Sequence, residues 1–229
     1  MIGHRSLSLA LILGTMTCCS VGASASTIYV TYTGTLSGIY DTGLFGSPAI
    51  GDPFSLVFTF DSTQGYQESD GIFDRVYGGG SYPISSPGNA VLTIDGNSAT
   101  INGDWVSEDY AQNNGDGGVS QTYQYANDFN TSGLNNYVVA TIYSYAGGVF
   151  PNSILSPYSY DVTSGDYTYG YFSFSNNGIT SAFGNLSLDH VDVSVSAVPL
   201  PSTLPLFASG LAGLAWLSRR KRKQTQLSA

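Results

Sequence analysis

The stretch Phe54-Ser55-Leu56-Val57-Phe58-Thr59-Phe60 constrains this chain more than any other, because a large apolar side chain falls at every second position. A period of two sends Phe54, Leu56, Phe58 and Phe60 to one face of a β-strand, whereas a helix would scatter them around its surface. The period recurs. Ala90 to Ile94 and Ser98 to Asn102 flank Asp95-Gly96-Asn97, residues that tolerate the positive φ of a tight turn, and the whole reads as a hairpin. Tyr137 to Tyr145 and Tyr167 to Ser175 alternate with tyrosines on one face of each, as partly exposed sheet surface does. In the last such stretch Leu186 and Leu188 share one phase and Val191, Val193 and Val195 take the other, which predicts a bulge near Asp189 and His190. No helical period of useful length occurs between the two terminal segments. Turn-punctuated strands without helical crossovers predict an all-β fold, a single antiparallel β-sandwich or jelly-roll-like domain.

Charge divides the chain sharply. The seven basic residues are Arg5, Arg75, Arg219, Arg220, Lys221, Arg222 and Lys223, while all sixteen Asp and Glu lie between Asp41 and Asp192. That central stretch therefore carries −15 and repels phosphate backbones, which excludes nucleic acid as a partner.

Both ends read as addresses. Arg5 closes a short positive region, Leu7 to Gly14 is apolar, and Ala23-Ser24-Ala25 offers the small residues that signal peptidase needs, with Ala23 and Ala25 as its recognition positions. A signal peptide is thus expected over residues 1–25. Both cysteines, Cys18 and Cys19, precede the cut, so the exported part has no disulfide and no thiol nucleophile. A lipoprotein reading with Cys18 as the lipidated residue is set aside, because Thr15, Met16 and Thr17 do not fit the residues such a cysteine requires ahead of it. At the other end, Val198-Pro199-Leu200-Pro201-Ser202 leads into an apolar run ending at Leu217, followed by the basic stop Arg219-Arg220-Lys221-Arg222-Lys223. Val198 to Leu217 forms about 30 Å of helix, enough to cross a bilayer, and the cations place the tail on the cytoplasmic side. The resulting division is a signal peptide over 1–25, an exported β domain over 26–197, the sorting segment with transmembrane helix and basic tail over 198–223, and a polar end over 224–229.

The order of proline motif, short apolar helix and basic stub resembles the PEP-CTERM sorting signal of Gram-negative bacteria. Val198, Pro199, Pro201 and Ser202 match the family's pattern, and Leu200 stands where the family usually has Glu. The resemblance implies recognition by exosortase, a membrane-embedded sorting protease or transpeptidase. It implies an inner-membrane-tethered precursor that then reaches the cell surface or extracellular polymer, as in a biofilm. Tyr32-Thr33-Gly34-Thr35 and Thr42-Gly43-Leu44-Phe45-Gly46 look like the opening of other exported proteins of this kind. The prolines suit a cleavage site, since they lack an N–H donor and push their predecessors out of helical conformation.

No catalytic constellation stands out between the two addresses. The exported part has one histidine, His190, and no G-x-S-x-G, so the ring is read as a satisfied strand residue. One His without Cys cannot form a zinc site. Asp104, Glu108 and Asp109, and likewise Glu68, Asp70 and Asp74, offer oxygen that calcium could use, yet neither set matches a calcium loop, and both are read as solvated acidic loops. No cofactor is expected, with calcium left open. The expectation is an exported, non-enzymatic surface or extracellular-matrix protein. The alternative is a carbohydrate-binding, lectin-like domain for exopolysaccharide, because Tyr-rich strands and Trp105 suit stacking on sugar rings. A glycoside hydrolase ranks behind it, since nothing in the spacing of sixteen acids selects a pair.

Overall fold

The computed structural model describes residues 26–115, 118–129, 135–176 and 179–197. The expected signal peptide, with Ala23 and Ala25, and the sorting segment from Val198 to Lys223 lie outside the described residues. Among the described residues there is no helix long and apolar enough to cross a membrane.

Among the described residues, twelve strands form one antiparallel sheet. They are β1 (Ser26–Asp41), β2 (Pro53–Asp61), β3 (Tyr66–Ser69), β4 (Phe73–Gly78), β5 (Gly88–Ile94), β6 (Asn97–Ile101), β7 (Val106–Asn113), β8 (Ser120–Phe129), β9 (Asn135–Ser144), β10 (Tyr158–Asp161), β11 (Tyr167–Asn176) and β12 (Ile179–Ala197). The order across the sheet is β3-β4-β7-β8-β9-β11-β12-β1-β2-β5-β6, with β10 added to β12 beyond the end of β11. The sheet curls until β5 and β6 pack over β7, β8 and β9. Its two flanks face each other as the layers of a sandwich do, yet the ladder runs unbroken through β11, β12, β1 and β2, so the architecture is a curled half-barrel.

The curl originates in the longest pair, β1 and β12. Their register shifts between Thr33 and Gly34, where Asp189 is the extra residue, and again between Leu36 and Gly38. Each shift adds a residue to one strand only, which bends the pair and increases its twist. The first shift is the predicted one: Leu186, Leu188, Val191 and Val193 all become buried although their sequence phase changes. At this bulge the backbones are so close that a Cβ on Gly34 would lie 1.9 Å from the Ser187 carbonyl oxygen. The β5–β6 hairpin also forms as read, with Asp95 and Gly96 both at positive φ, 48° and 78°.

The core fills the inside of the curl. Phe54, Leu56, Phe58 and Phe60 are all buried, as their alternation requires, against Ile28, Val30 and Tyr32 of β1 and Leu92 and Ile94 of β5. Phe45, in the β1–β2 loop, packs edge-on to Phe172 and Phe174, each 5.7 Å away, and its carbonyl accepts a hydrogen bond from Asn97 Nδ2 at 3.0 Å. Phe150, between β9 and β10, packs on Tyr158 and Tyr160 at 5.5 and 5.0 Å.

Candidate functional site

Because side chains alternate across a pleated strand, every outward position on six adjacent strands belongs to one surface. On β3, β4, β7, β8, β9 and β11 these positions carry ten of the chain's 17 tyrosines: Tyr66, Tyr77, Tyr110, Tyr123, Tyr125, Tyr137, Tyr143, Tyr167, Tyr169 and Tyr171. The strand register aligns them into rows. Tyr110 faces Tyr123, Tyr143 faces Tyr167, and Tyr137 stacks on Tyr171 with ring centroids 5.5 Å apart.

A shallow groove of about 230 Å³ crosses this face, lined by Arg75, Glu108, Tyr110, Gln121, Tyr123 and Tyr143. Arg75 donates from Nε to Glu68 Oε2 at 2.9 Å and pairs with Glu108 Oε1 at 3.5 Å. Its guanidinium also lies 4.6 Å from the centre of the Tyr77 ring, a cation–π contact. Burial pushes the Glu108 carboxyl above its ordinary range, and the Arg75 charge offsets only part of that. Burial likewise raises Tyr123 and Tyr110. The groove thus offers three phenol rings, an amide and the Arg75–Glu108 ion pair. Phenol rings can stack on flat apolar faces and hydrogen-bond through their hydroxyls.

A second cleft, of about 550 Å³, lies where the curled sheet approaches itself and is lined by Thr42, Leu44, Thr100, Asn136, Phe174 and Ser181 among others. None of its lining side chains carries a charge.

The pleat disperses the acidic residues that cluster in the sequence. Glu108 points outward and Asp109 inward on β7, where Asp109 is only 2% exposed, so these two are strand residues and not a solvated loop. Glu68 sits on the outer face of β3 beside Arg75. Asp70 caps the β3–β4 turn, accepting from the backbone N–H of Ile72 and Phe73. Asp74 accepts from Ser153 Oγ and the Ile154 N–H. Among the described residues no group of three or more His, Cys, Asp or Glu side chains converges as a metal site.

Asp109 belongs instead to a buried polar row. The Tyr32 hydroxyl donates to Gln124 Oε1, and Gln124 Nε2 donates to Asp109 Oδ1 at 2.7 Å and to Thr122 Oγ1 at 3.1 Å. Asp109 Oδ2 is buried without a hydrogen-bond partner. Burial pushes this carboxyl up to about 7, the Gln124 hydrogen bond offsets part of the rise, and the charges of Asp74 and Glu108 add to it. The sequence signal for this residue was its place between Ser107 and Ala111, at the inward phase of a strand that has few large apolar residues.

His190 is satisfied, as the sequence reading expected, although its partners were not foreseen. Nδ1 meets Asp161 Oδ1 at 2.6 Å and Nε2 meets Ser159 Oγ at 3.3 Å, because β10 lies against β12 with Asp161 in register with His190. The order of contacts is that of a Ser-His-Asp triad. Asp161, however, is 91% exposed, so water screens the carboxylate that would have to orient the ring. The three side chains stand on an open strand surface and line neither of the clefts described above.

The last strand carries the remaining observation. The described residues end at Ala197 of β12, which pairs with Ser26 of β1, so the residues next to both expected processing points are cross-strand partners. Residues 197–221 match the PEP-CTERM protein-sorting motif. Val198, Pro199, Leu200, Pro201 and Ser202 fall within the PEP-CTERM span, as do Arg219, Arg220 and Lys221, and Arg222 and Lys223 follow it directly. A PEP-CTERM motif implies an exported, membrane-associated precursor processed by an exosortase. No curated protein and no solved structure matches the chain.

Proposed function

We propose that this chain is a non-enzymatic protein of the cell surface or extracellular matrix, anchored by its C-terminal segment until an exosortase cuts near Val198-Pro199-Leu200-Pro201-Ser202. The observation that carries the reading is the match of residues 197–221 to the PEP-CTERM protein-sorting motif, C-terminal to the all-β domain. Two features support a role without catalysis. Of the two clefts described above, one is lined by no carboxylate and the other by Glu108 alone, so neither of these presents the acid pair that glycoside hydrolysis needs. The Ser159–His190–Asp161 contact lies on an open strand surface, where nothing excludes water. Cell fractionation tests the anchor. Deleting residues 198–217 is expected to release the protein from membranes, and unchanged membrane association would refute the tether. A fluorophosphonate probe is expected to leave Ser159 unlabelled, and its labelling would refute the non-enzymatic reading.

A second reading, favoured by the tyrosine groove, is binding of a neutral polysaccharide on the outer face. The −15 charge of the central stretch disfavours acidic polymers, and Arg75 is already balanced by Glu68 and Glu108. Electrophoresis of the full chain through gels containing neutral glucans is expected to show retardation that Tyr110→Ala and Tyr123→Ala each weaken. Equal mobility with and without glucan would refute it.

A further inference from the structure

Residues 26–197 contain neither cysteine nor methionine, since Met1, Met16, Cys18 and Cys19 all precede them. The usual sinks for oxidising equivalents are therefore missing, and the phenol and indole rings are left to react. Most of the phenols stand on the outer sheet face described above.

Tyr143 of β9 and Tyr167 of β11 are direct register partners on that face. Their ring centroids are 5.8 Å apart at an interplanar angle of 55°, and Tyr167 is 53% exposed. Residues directly opposite each other in an antiparallel pair have Cβ atoms about 4.5–5.5 Å apart, so side-chain rotation alone can bring the two rings edge to edge. We propose that Tyr143 and Tyr167 form a site of intramolecular oxidative phenol coupling, driven outside the cell by hydrogen peroxide and a peroxidase. One electron and one proton leave each phenol. The two phenoxyl radicals join through the Cε carbons next to their oxygens, and the hydrogen on each joined carbon moves to its own oxygen to restore the phenol. The protein loses two hydrogens, and one peroxide becomes two waters.

Two other pairs sharpen the choice. Tyr66 and Tyr77 are also register partners, 5.4 Å apart, but the Arg75 guanidinium lies 4.6 Å from the centre of the Tyr77 ring. A cation held against a ring face opposes removal of an electron from that ring. Tyr137 and Tyr171 stack at 5.5 Å, with both rings half-buried and less accessible to an oxidant. Coupling of Tyr143 to Tyr167 would tie β9 to β11 across the segment that carries Phe150, Ile154 and β10. In a domain without disulfides that is a covalent staple of the same kind, one that restricts the unfolded chain.

The test treats the full purified chain with peroxidase and hydrogen peroxide, then reads dityrosine fluorescence, intact mass and cross-linked peptides. The expected product is a monomer lighter by two hydrogens whose dominant cross-link joins Tyr143 to Tyr167. Tyr167→Phe is expected to lose that peptide, and treatment in urea to lose the preference for it. The same product distribution in folded and urea-treated chain would overturn the proposal, as would coupling only between chains. A Tyr66–Tyr77 product as abundant as the Tyr143–Tyr167 one would overturn the choice of site.

Discussion

Replacing Asp109 by Asn tests the buried polar row through the pH dependence of stability. The folded carboxyl titrates at about 7 against an ordinary value of 3.8, because burial disfavours its charge more than Gln124 stabilises it. A raised folded value means that the folded state holds its proton more tightly than the unfolded chain. This contribution is therefore fully present below pH 3.8 and lost as pH rises toward 7, after which it no longer changes. The gap of about three pH units, at 1.36 kcal/mol per unit, amounts to about 4 kcal/mol. Asparagine keeps an oxygen for Gln124 Nε2 and never ionises, so it imitates the protonated acid. The variant is expected to match wild type within about 1 kcal/mol at pH 4 and to exceed it by up to about 4 kcal/mol at pH 8. Urea unfolding followed by circular dichroism at pH 4, 6 and 8 measures both, and groups common to the two proteins cancel in the difference. A difference that stays constant from pH 4 to pH 8 would refute the reasoning, because Asp109 would then titrate alike in folded and unfolded chains.

Gly34→Ala is expected to destabilise the fold by about 2–3 kcal/mol in the same assay, since the new Cβ would lie 1.9 Å from the Ser187 carbonyl oxygen and the backbone must move. A change within about 0.5 kcal/mol would show that the β1–β12 bulge yields freely. Phe58→Ala removes a fully buried ring that packs edge-on to Tyr32 and stacks on Phe60, and about 3–5 kcal/mol of destabilisation is expected. His190→Gln changes a half-exposed ring whose acidic partner lies in water, so stability is expected to move by less than about 1 kcal/mol.

Strand content was readable wherever one face is apolar and the other polar. Phe54 to Phe60, the Asp95-Gly96 turn and the phase change at Asp189 each state a local requirement that tertiary structure has no reason to override. β7 and β8 were harder to read because their inward positions hold Ser107, Asp109, Thr122 and Gln124, polar side chains whose burial is made tolerable by hydrogen bonds to one another and to distant Tyr32. A period of two says which side chains share a face but not which strands are neighbours. For that reason a sandwich and a curled half-barrel read alike in the sequence. It was the two bulges in β1 and β12, together with their length of 16 and 19 residues, that let one ladder serve both flanks. The tyrosine face was half legible: alternation put the rings on one surface of β9 and of β11, but the groove that β4, β7, β8 and β9 build on it depends on pairing between distant segments.

The two described ends of the domain lie together, next to the residues that match the sorting motif. β12 remains paired with β1 up to Ala197, whose partner is Ser26. After the expected signal-peptidase cut behind Ala25, β1 has no further residue with which to continue the ladder. Pro199 and Pro201 have no N–H to offer another strand. A protease that binds its substrate as an extended strand needs backbone that no neighbouring strand already occupies. Two prolines within five residues suit that requirement, because neither offers a donor with which a neighbouring strand could pair.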